Sequence, residues 1–522
     1  MSDKKLEKNM LLYGVIFAVY AVLTFIGAVK HELWFDEAQA WVIARDNTIS
    51  GIFRQIGYEG HPPLWYMILY IPSHLGLPCT VMPYISWFIT AIAGALIMFK
   101  APFHIVTKAA VLFSGGFLFL NSVMSRVYCL INLFIVLIVL VYPNRKKYPV
   151  LYGFLIALLA NTHICVSGFI GIIGIFMLTD LFKGLKTNGA KQNIKEIAGL
   201  AVAGAGVLTM VIPLLNSLSL NSSTSEISMS VSVFISSFAE GLINVSRAVL
   251  NYGVQLGGSF AGIVGIAEFV FSGFMAAAFI AMIIVMRHKT RSFLMLLFFE
   301  VFYIITTEVF WLTIPNRALV FVTMFFAVLW LSECEQENNS ADMWNKIDLK
   351  ADSAALKKLI EFVKRADTHF RNSYVVLITA IMVISVPMGA YYLFSDYAKS
   401  FCPSEAAAEF VRENIPEGSV FVTDKESCAE ISAYLPEYKF YSTEYGRFYT
   451  YCTHENAPDE EVPQTQIYDD LKDLDKLYHM YICPDIDYLA GSREYINIIR
   501  DGMPYGTNAR YVEIAEYDLK QE

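Results

Sequence analysis

Apolar runs long enough to cross a bilayer recur along this chain, and no soluble fold accommodates so many of them. A membrane-spanning helix needs about 20 consecutive, mostly apolar residues. The first such run, Leu11 to Val29, follows the lysine-bearing segment MSDKKLEKNM. A basic start before an apolar run also describes a secretory signal. No small-residue cleavage site follows, however, and the run is long enough to span, so it reads as a retained helix. Of the 522 residues 56% are hydrophobic and 17% charged, against about 25% charged in an average soluble chain. The chain reads as a polytopic α-helical membrane protein.

Lys and Arg collect on the cytoplasmic side of membrane proteins, so spans and orientation can be read together. Lys4, Lys5 and Lys8 put the N-terminus inside. The first outer loop then covers 30–80. Within it, residues 62–77 hold three prolines and a histidine and are too short to cross, so they read as an interfacial helix. Further spans are expected at roughly 81–99, 103–120, 126–142, 149–162, 164–181, 197–215, 260–286, 292–311, 317–332 and 374–394. A Ser/Asn-rich loop through residue 240 and an amphipathic stretch at 241–258 separate two of these. The basic turns Lys100 to Lys108, Arg145 to Lys147, Lys183 to Lys195 and Arg287 to Arg291 all fall inside, with a polar cytoplasmic loop at 333–373. The count is about eleven transmembrane helices, and the tail lies outside the cytoplasmic membrane.

The formal net charge of -9 is unevenly spread. From Asp396 onward acids outnumber bases by more than two to one, and the rest is mildly basic. Residues 1–394 therefore read as the membrane domain and 395–522 as a separate soluble domain. In the tail, Ser404 to Asn414 and Glu426 to Tyr434 are helical in pattern. Ser419 to Val422, Lys439 to Ser442 and Tyr478 to Ile482 are strand-like, which argues for a small α/β layer. It has no GxGxxG, P-loop or nucleophile elbow, so no chemistry is assigned to it, and nothing suggests nucleic-acid binding. Cys402, Cys428, Cys452 and Cys483 read as free buried thiols or as two disulfides.

The residues able to carry chemistry sit at outer helix ends. Asp36 and Glu37 stand side by side in the first loop. Asp36 with Gln39 fits a capping box, and Trp34, Ala38, Trp41, Val42 and Arg45 form a stripe suited to lying on lipid headgroups. The same spacing turns Asp36 away from lipid, where a general base for a lipid-linked substrate would sit. His61-Pro62-Pro63-Leu64 is either a helix start or a histidine placed to hold a phosphate. Glu59 and His61 form a weak pair of metal-ligand candidates. Arg126, in the segment with Tyr128, and Arg317 each open a span on its outer end. They either snorkel or hold an anionic lipid phosphate. His163, in Asn161-Thr162-His163, is either part of a polar helix-end turn or a further candidate.

An Asp-Glu pair in the first outer loop, followed by His-Pro-Pro-Leu, resembles the protein O-mannosyltransferase and aminoarabinose transferase superfamily of GT-C fold membrane glycosyltransferases. Ser125-Arg126-Val127-Tyr128 and Ala160-Asn161-Thr162-His163 are similar to its bacterial, family 39-like branch. The resemblance covers residues 10–180 best, thins toward 332 and is only architectural in the tail. It implies transfer of a sugar, with inversion, from a polyprenyl-phosphate donor to a glycan, lipid or protein acceptor outside the membrane. Asp36 would be the general base or acceptor-positioning carboxylate, with Glu37 supporting it. His61, Arg126, Tyr128, His163 and Arg317 would serve the lipid phosphate and substrate. His61 falls where the aminoarabinose branch has a lysine on that phosphate. Many relatives have an arginine entering the second span, where this chain has Met82-Pro83-Tyr84. Metal use varies across the superfamily, so no cofactor is assigned and a divalent metal stays open. The rival reading is a transporter or flippase of a lipid-linked saccharide, which would call for charges near mid-bilayer and an internal repeat.

Overall fold

The opening apolar run forms helix α1 (Asp3–Lys30). The structure, a computed structural model, describes residues 3–59, 61–220, 270–278, 282–283, 286, 289–298, 315–335, 354–398, 402–453, 462–474, 476–483, 494–499 and 511–518. The helices that follow are α2 (Phe35–Asp46), α3 (Ile49–Glu59), α4 (Leu64–His74), α5 (Met82–Lys100), α6 (Ile105–Leu112) and α7 (Tyr128–Val141). Next come α8 (Pro149–Ala160), α9 (Ser167–Asn188), α10 (Ile194–Leu220), α11 (Pro315–Glu333) and α12 (Ala354–Ala398). Among the described residues five stretches are long and apolar enough to cross a membrane: Met10–Lys30, Cys79–Lys100, Ile164–Asn188, Lys191–Ile212 and Val375–Ala398. Tyr128–Asn144, Pro149–Ala160 and Val322–Glu333 are shorter apolar helices. The protein is a multi-pass, mostly helical membrane protein with a small sheet toward its C-terminus.

Two expected elements take another form. The run 103–120 is not one helix: α6 ends at Leu112, and a π-helical turn, Gly116–Leu120, follows. The cause is α12, which presses its backbone into the break. Ser385 Oγ accepts from Gly115 N at 3.3 Å, and a Cβ added at Gly389 would lie 2.8 Å from Gly115 Cα. Second, residues 354–373 of the expected polar loop 333–373 belong to α12, a single helix of 45 residues. They are rich in Ala, Leu, Lys, Glu and Arg, which favour helix, and no Gly or Pro interrupts α12 before Pro387. Helix α10 takes in the first residues of the expected Ser/Asn-rich loop, to Leu220; the rest of that loop, the amphipathic 241–258 stretch and much of the expected spans 260–286 and 292–311 lie outside the described residues.

Helix α8 packs closely on α10 through small residues. A side chain at Gly153 would run into the Gly199 carbonyl, and one at Gly206 into Ala157. Close backbone approach of this kind is how helices associate where lipid offers no hydrophobic driving force. At the far end of α7 and α9, Asp180 gathers two arginines. Arg145 reaches its Oδ2 at 3.0 Å, and Arg291 grips both oxygens, at 3.0 and 2.5 Å.

The tail folds as an α/β layer. Helices α13 (Ser404–Asn414), α14 (Lys425–Tyr434) and α15 (Gln464–Leu471) accompany strands β1 (Val420–Thr423), β2 (Lys439–Ser442), β3 (Arg447–Phe448), β4 (Lys476–Cys483), β5 (Glu494–Ile499) and β6 (Tyr511–Asp518). The sheet order is β3-β2-β1-β4-β6-β5. Strand β1 is buried throughout and lies parallel to both β2 and β4, as the unbroken apolar run Val420-Phe421-Val422 requires of a strand covered on both faces. Strand β6 pairs antiparallel with β4 and β5. Asp424 caps α14, accepting from Glu426 N and Ser427 N at 2.9 and 2.8 Å. Cys402, Cys428 and Cys452 are free thiols.

This layer is stitched to the first loop. Tyr434 Oη accepts from Leu33 N at 2.6 Å, Arg45 donates to Ser432 O at 2.7 Å, and Thr450 donates to Asp46 at 2.6 Å. Gln39 takes both backbone groups of Cys452, accepting from its N at 2.8 Å and donating to its O at 2.6 Å. Helix α2 therefore does not lie on headgroups. Ala38, Trp41 and Val42, the expected lipid-facing stripe, are buried between α4 and α14, because the tail covers the face that lipid would have met.

Candidate active site

Four pieces of chain meet at the end of the bundle where α1 and α12 finish: the turn from His31 into α2, the segment from α3 into α4, the turn before α7 and the turn after α8. Helix α2 begins one residue earlier than the expected cap, so the capping geometry moves. Glu37 occupies its third position and accepts from Trp34 N at 3.1 Å. Asp36 is thereby released from capping and points outward, 38% exposed, onto Arg126. Arg126 Nη1 lies 3.0 Å from Asp36 Oδ2 and donates to the Asp36 carbonyl at 2.7 Å. One nitrogen thus serves both contacts, leaving the Nε and Nη2 donors of the guanidinium unspent among the described residues.

Glu37 is wholly buried and faces away from this pair. Its carboxylate accepts from Ser125 N and meets His31 Nε2 at 3.0 Å. His31 Nδ1 lies 3.0 Å from Asp396 Oδ2 near the end of α12. Burial works against the imidazolium, but Glu37 and Asp396 outweigh it and hold the His31 pKa well above the ordinary histidine value. Glu37 is thus a fixing point for the turn that carries Arg126.

The His-Pro-Pro-Leu segment starts α4 as expected, with Pro63 at the cap. Prolines at 62 and 63 have no N–H to offer, so Leu64 supplies the first donor of the helix, and Asn161 O accepts it at 3.2 Å. Asn161 in turn donates to Gly206 O at 3.0 Å. The polar turn after α8 thereby holds the proline turn and α10 together. It sets His61 and His163 edge to face, with ring centroids 5.4 Å apart, and Tyr128 lies 5.9 Å from His163. The His163 Nδ1 accepts from Cys165 N at 3.1 Å. The structure brings Asp36 onto Arg126, and His61 and Tyr128 each onto His163. The Arg317 side chain lies outside the described residues.

Glu59 and His61 do not converge as two side-chain ligands. The imidazole Nδ1 bonds the Glu59 carbonyl at 2.8 Å. The Glu59 carboxylate instead accepts from Gln39 and Gln55 at 3.0 and 3.3 Å. Among the described residues no group of three or more His, Cys, Asp or Glu is placed to hold a metal. Burial, with a smaller push from Asp36, raises the Glu59 pKa from 4.5 to about 7, against Gln39, Gln55 and Arg126.

That shift carries a stability signature. The folded chain binds the Glu59 proton more tightly than the unfolded chain does. Stability is therefore greatest below pH 4.5 and falls as pH rises toward about 7. The thermal midpoint of the wild type, followed in lipid between pH 5 and 8, is expected to drop across this window by more than that of Glu59→Gln. Equal slopes would remove Glu59 as the cause.

Sequence reasoning missed His31, Gln39 as a clamp, Ser125 and Asp396. Asp396 had a readable signal, since an acid at the end of an apolar run is expensive and wants a partner, and His31 directly follows the first span. The backbone donor Ser125 N carried no signal.

No protein-family model and no curated protein matches the chain. Among solved structures it is similar to ArnT from Cupriavidus metallidurans in the apo state, at 12% identity and a TM-score of 0.48, over 97% of this chain and 98% of that chain. It is similar to ArnT from the same organism bound to undecaprenyl phosphate at 13% identity and the same TM-score of 0.48, over 96% and 97%. A likeness at this level carries no argument about the chain, and the functional reading rests on the residues above.

Proposed function

We propose that the protein is a glycosyltransferase that moves a sugar from a polyprenyl-phosphate donor to an acceptor hydroxyl at this end of the bundle. The observation that carries the reading is the Asp36–Arg126 pair, a partly exposed carboxylate beside an arginine whose Nε and Nη2 donors are unspent among the described residues. An acceptor oxygen attacks the anomeric carbon, the bond from that carbon to the phosphate oxygen breaks, and the acceptor proton passes to Asp36. The departing phosphate gathers charge within reach of Arg126 Nε and Nη2, where charge-assisted hydrogen bonds stabilise it. Displacement from the face opposite the phosphate inverts the anomeric centre. His61 and His163, which meet each other beside Tyr128, are assigned to the donor phosphate, on the side that the distribution of Lys and Arg puts outside the membrane.

The test is release of polyprenyl phosphate from a panel of polyprenyl-phosphate sugars by the purified protein in lipid. Turnover with at least one donor upholds the reading. Movement of the lipid-linked sugar between leaflets without release from any donor replaces it with a flippase. His61→Ala is expected to raise the KM for the donor by about tenfold, the worth of one charge-assisted hydrogen bond, with kcat changed less. A fall in kcat at unchanged KM would move His61 from phosphate binding to the chemical step.

A further inference from the structure

At the other end of α7, α8 and α9 lies a cleft that the proposed chemistry does not use. Helix α7 alone separates the two by about 20 Å, from 14 residues at 1.5 Å each. The cleft encloses about 270 Å³ between the turn before α8, the last turns of α9 and the start of α10. Small-molecule pockets run to about 300–1,000 Å³, so this space admits a headgroup and not a whole lipid.

Its lining divides by chemistry. Lys146 and Lys183 stand on it with no ion-pair partner among the described residues. Arg145 shares a single carboxylate, Asp180, with Arg291, so that cluster carries excess positive charge. Tyr152 also lines the cleft, and its buried hydroxyl has no hydrogen-bond partner among the described residues. Buried polar atoms are normally satisfied, so an unpartnered hydroxyl on a residue of this lining marks a place for a ligand oxygen. Glu196 is on the lining too, its buried Oε2 likewise unpartnered among the described residues, and it suits a hydroxyl or ammonium donor beside that oxygen. Met177 and Leu181 supply apolar wall.

We infer that this cleft binds a phosphate ester bearing a neighbouring hydroxyl or ammonium group, as in the headgroup of phosphatidylglycerol or phosphatidylethanolamine. Lys146, Lys183 and Tyr152 take the phosphate, and Glu196 takes the donor. Basic pockets between helices recognise lipid headgroups by this chemistry.

The test is native mass spectrometry of the full chain offered phosphatidylglycerol, phosphatidylethanolamine or phosphate-free diacylglycerol, with sn-glycerol 3-phosphate as a soluble competitor. Wild type is expected to retain the two phospholipids over diacylglycerol. Lys146→Ala with Lys183→Ala should lower retention at least tenfold, Tyr152→Phe about fivefold, and the double arginine variant should restore it, all at unchanged thermal midpoint. Displacement by sn-glycerol 3-phosphate assigns the cleft to a soluble phosphate ester, and persistence against it assigns a lipid; both uphold phosphate recognition. Equal retention by wild type and the double alanine variant, or equal retention of diacylglycerol, overturns it.

Discussion

Asp36→Asn in the reconstituted protein is expected to lower sugar transfer by about 10²–10⁴-fold, the range removed with a general base. Asparagine keeps the shape of the side chain and can still present an oxygen to Arg126. The second anchor of that arginine, the Asp36 carbonyl at 2.7 Å, is untouched by the change. Folding and donor binding should survive, so kcat falls while the donor KM moves little. Transfer at the wild-type rate would reduce Asp36 to an ion-pair partner and shift the base elsewhere in the cluster, with Glu59 the first group to examine. Loss of donor binding together with kcat would show that the pair acts on the phosphate and not on the acceptor.

Glu37→Gln should act through the fold. Glu37, His31 and Asp396 form a chain whose ionic contacts are sealed from solvent. Removing one member of a buried ionic set costs about 3–5 kcal/mol, and the amide would turn N–H groups toward donors that now meet a carboxylate. His31 supplies the pH signature. Its folded pKa is raised, so its stabilisation is complete below the ordinary value of 6.5 and is lost only as pH climbs through the higher folded value. Without Glu37 that upper limit should move down. A markedly lower thermal midpoint and an earlier alkaline decline are expected, with transfer falling because Ser125, next to Arg126, loses its anchor. A variant with wild-type stability and no transfer would return Glu37 to a direct part in the chemistry.

Periodicity and hydropathy made the long spans and the first tail elements legible, because those are local properties of a stretch. The break at Gly115 was not legible, since it is caused by α12, which arrives some 270 residues later. Capping rules identified the right kind of device at the start of α2 but misassigned it to Asp36 and Gln39. Only the partner of each side chain, Arg126 for one and the Cys452 backbone for the other, shows that neither is spent on capping. The stripe on α2 failed for the same reason: apolar surface says that something covers it, not whether that cover is lipid or protein. Arg126, His61 and His163 were singled out by position at helix ends, and the approach of His61 to His163 follows from the Leu64–Asn161 bond.

The clamp of Gln39 on Cys452 joins residues 413 apart, and His31 meets Asp396 across 365. During synthesis the first loop leaves the ribosome hundreds of residues before either partner exists. Until then Glu37 and His31 lack their third member, and the apolar stripe of α2 lacks its protein cover. The end of the molecule that carries Asp36 and Arg126 is therefore among the last parts to close, although its chain is among the first made. A protein arrested before Asp396 would hold most of its helices and still lack the acid that meets His31 and the backbone that Gln39 clamps.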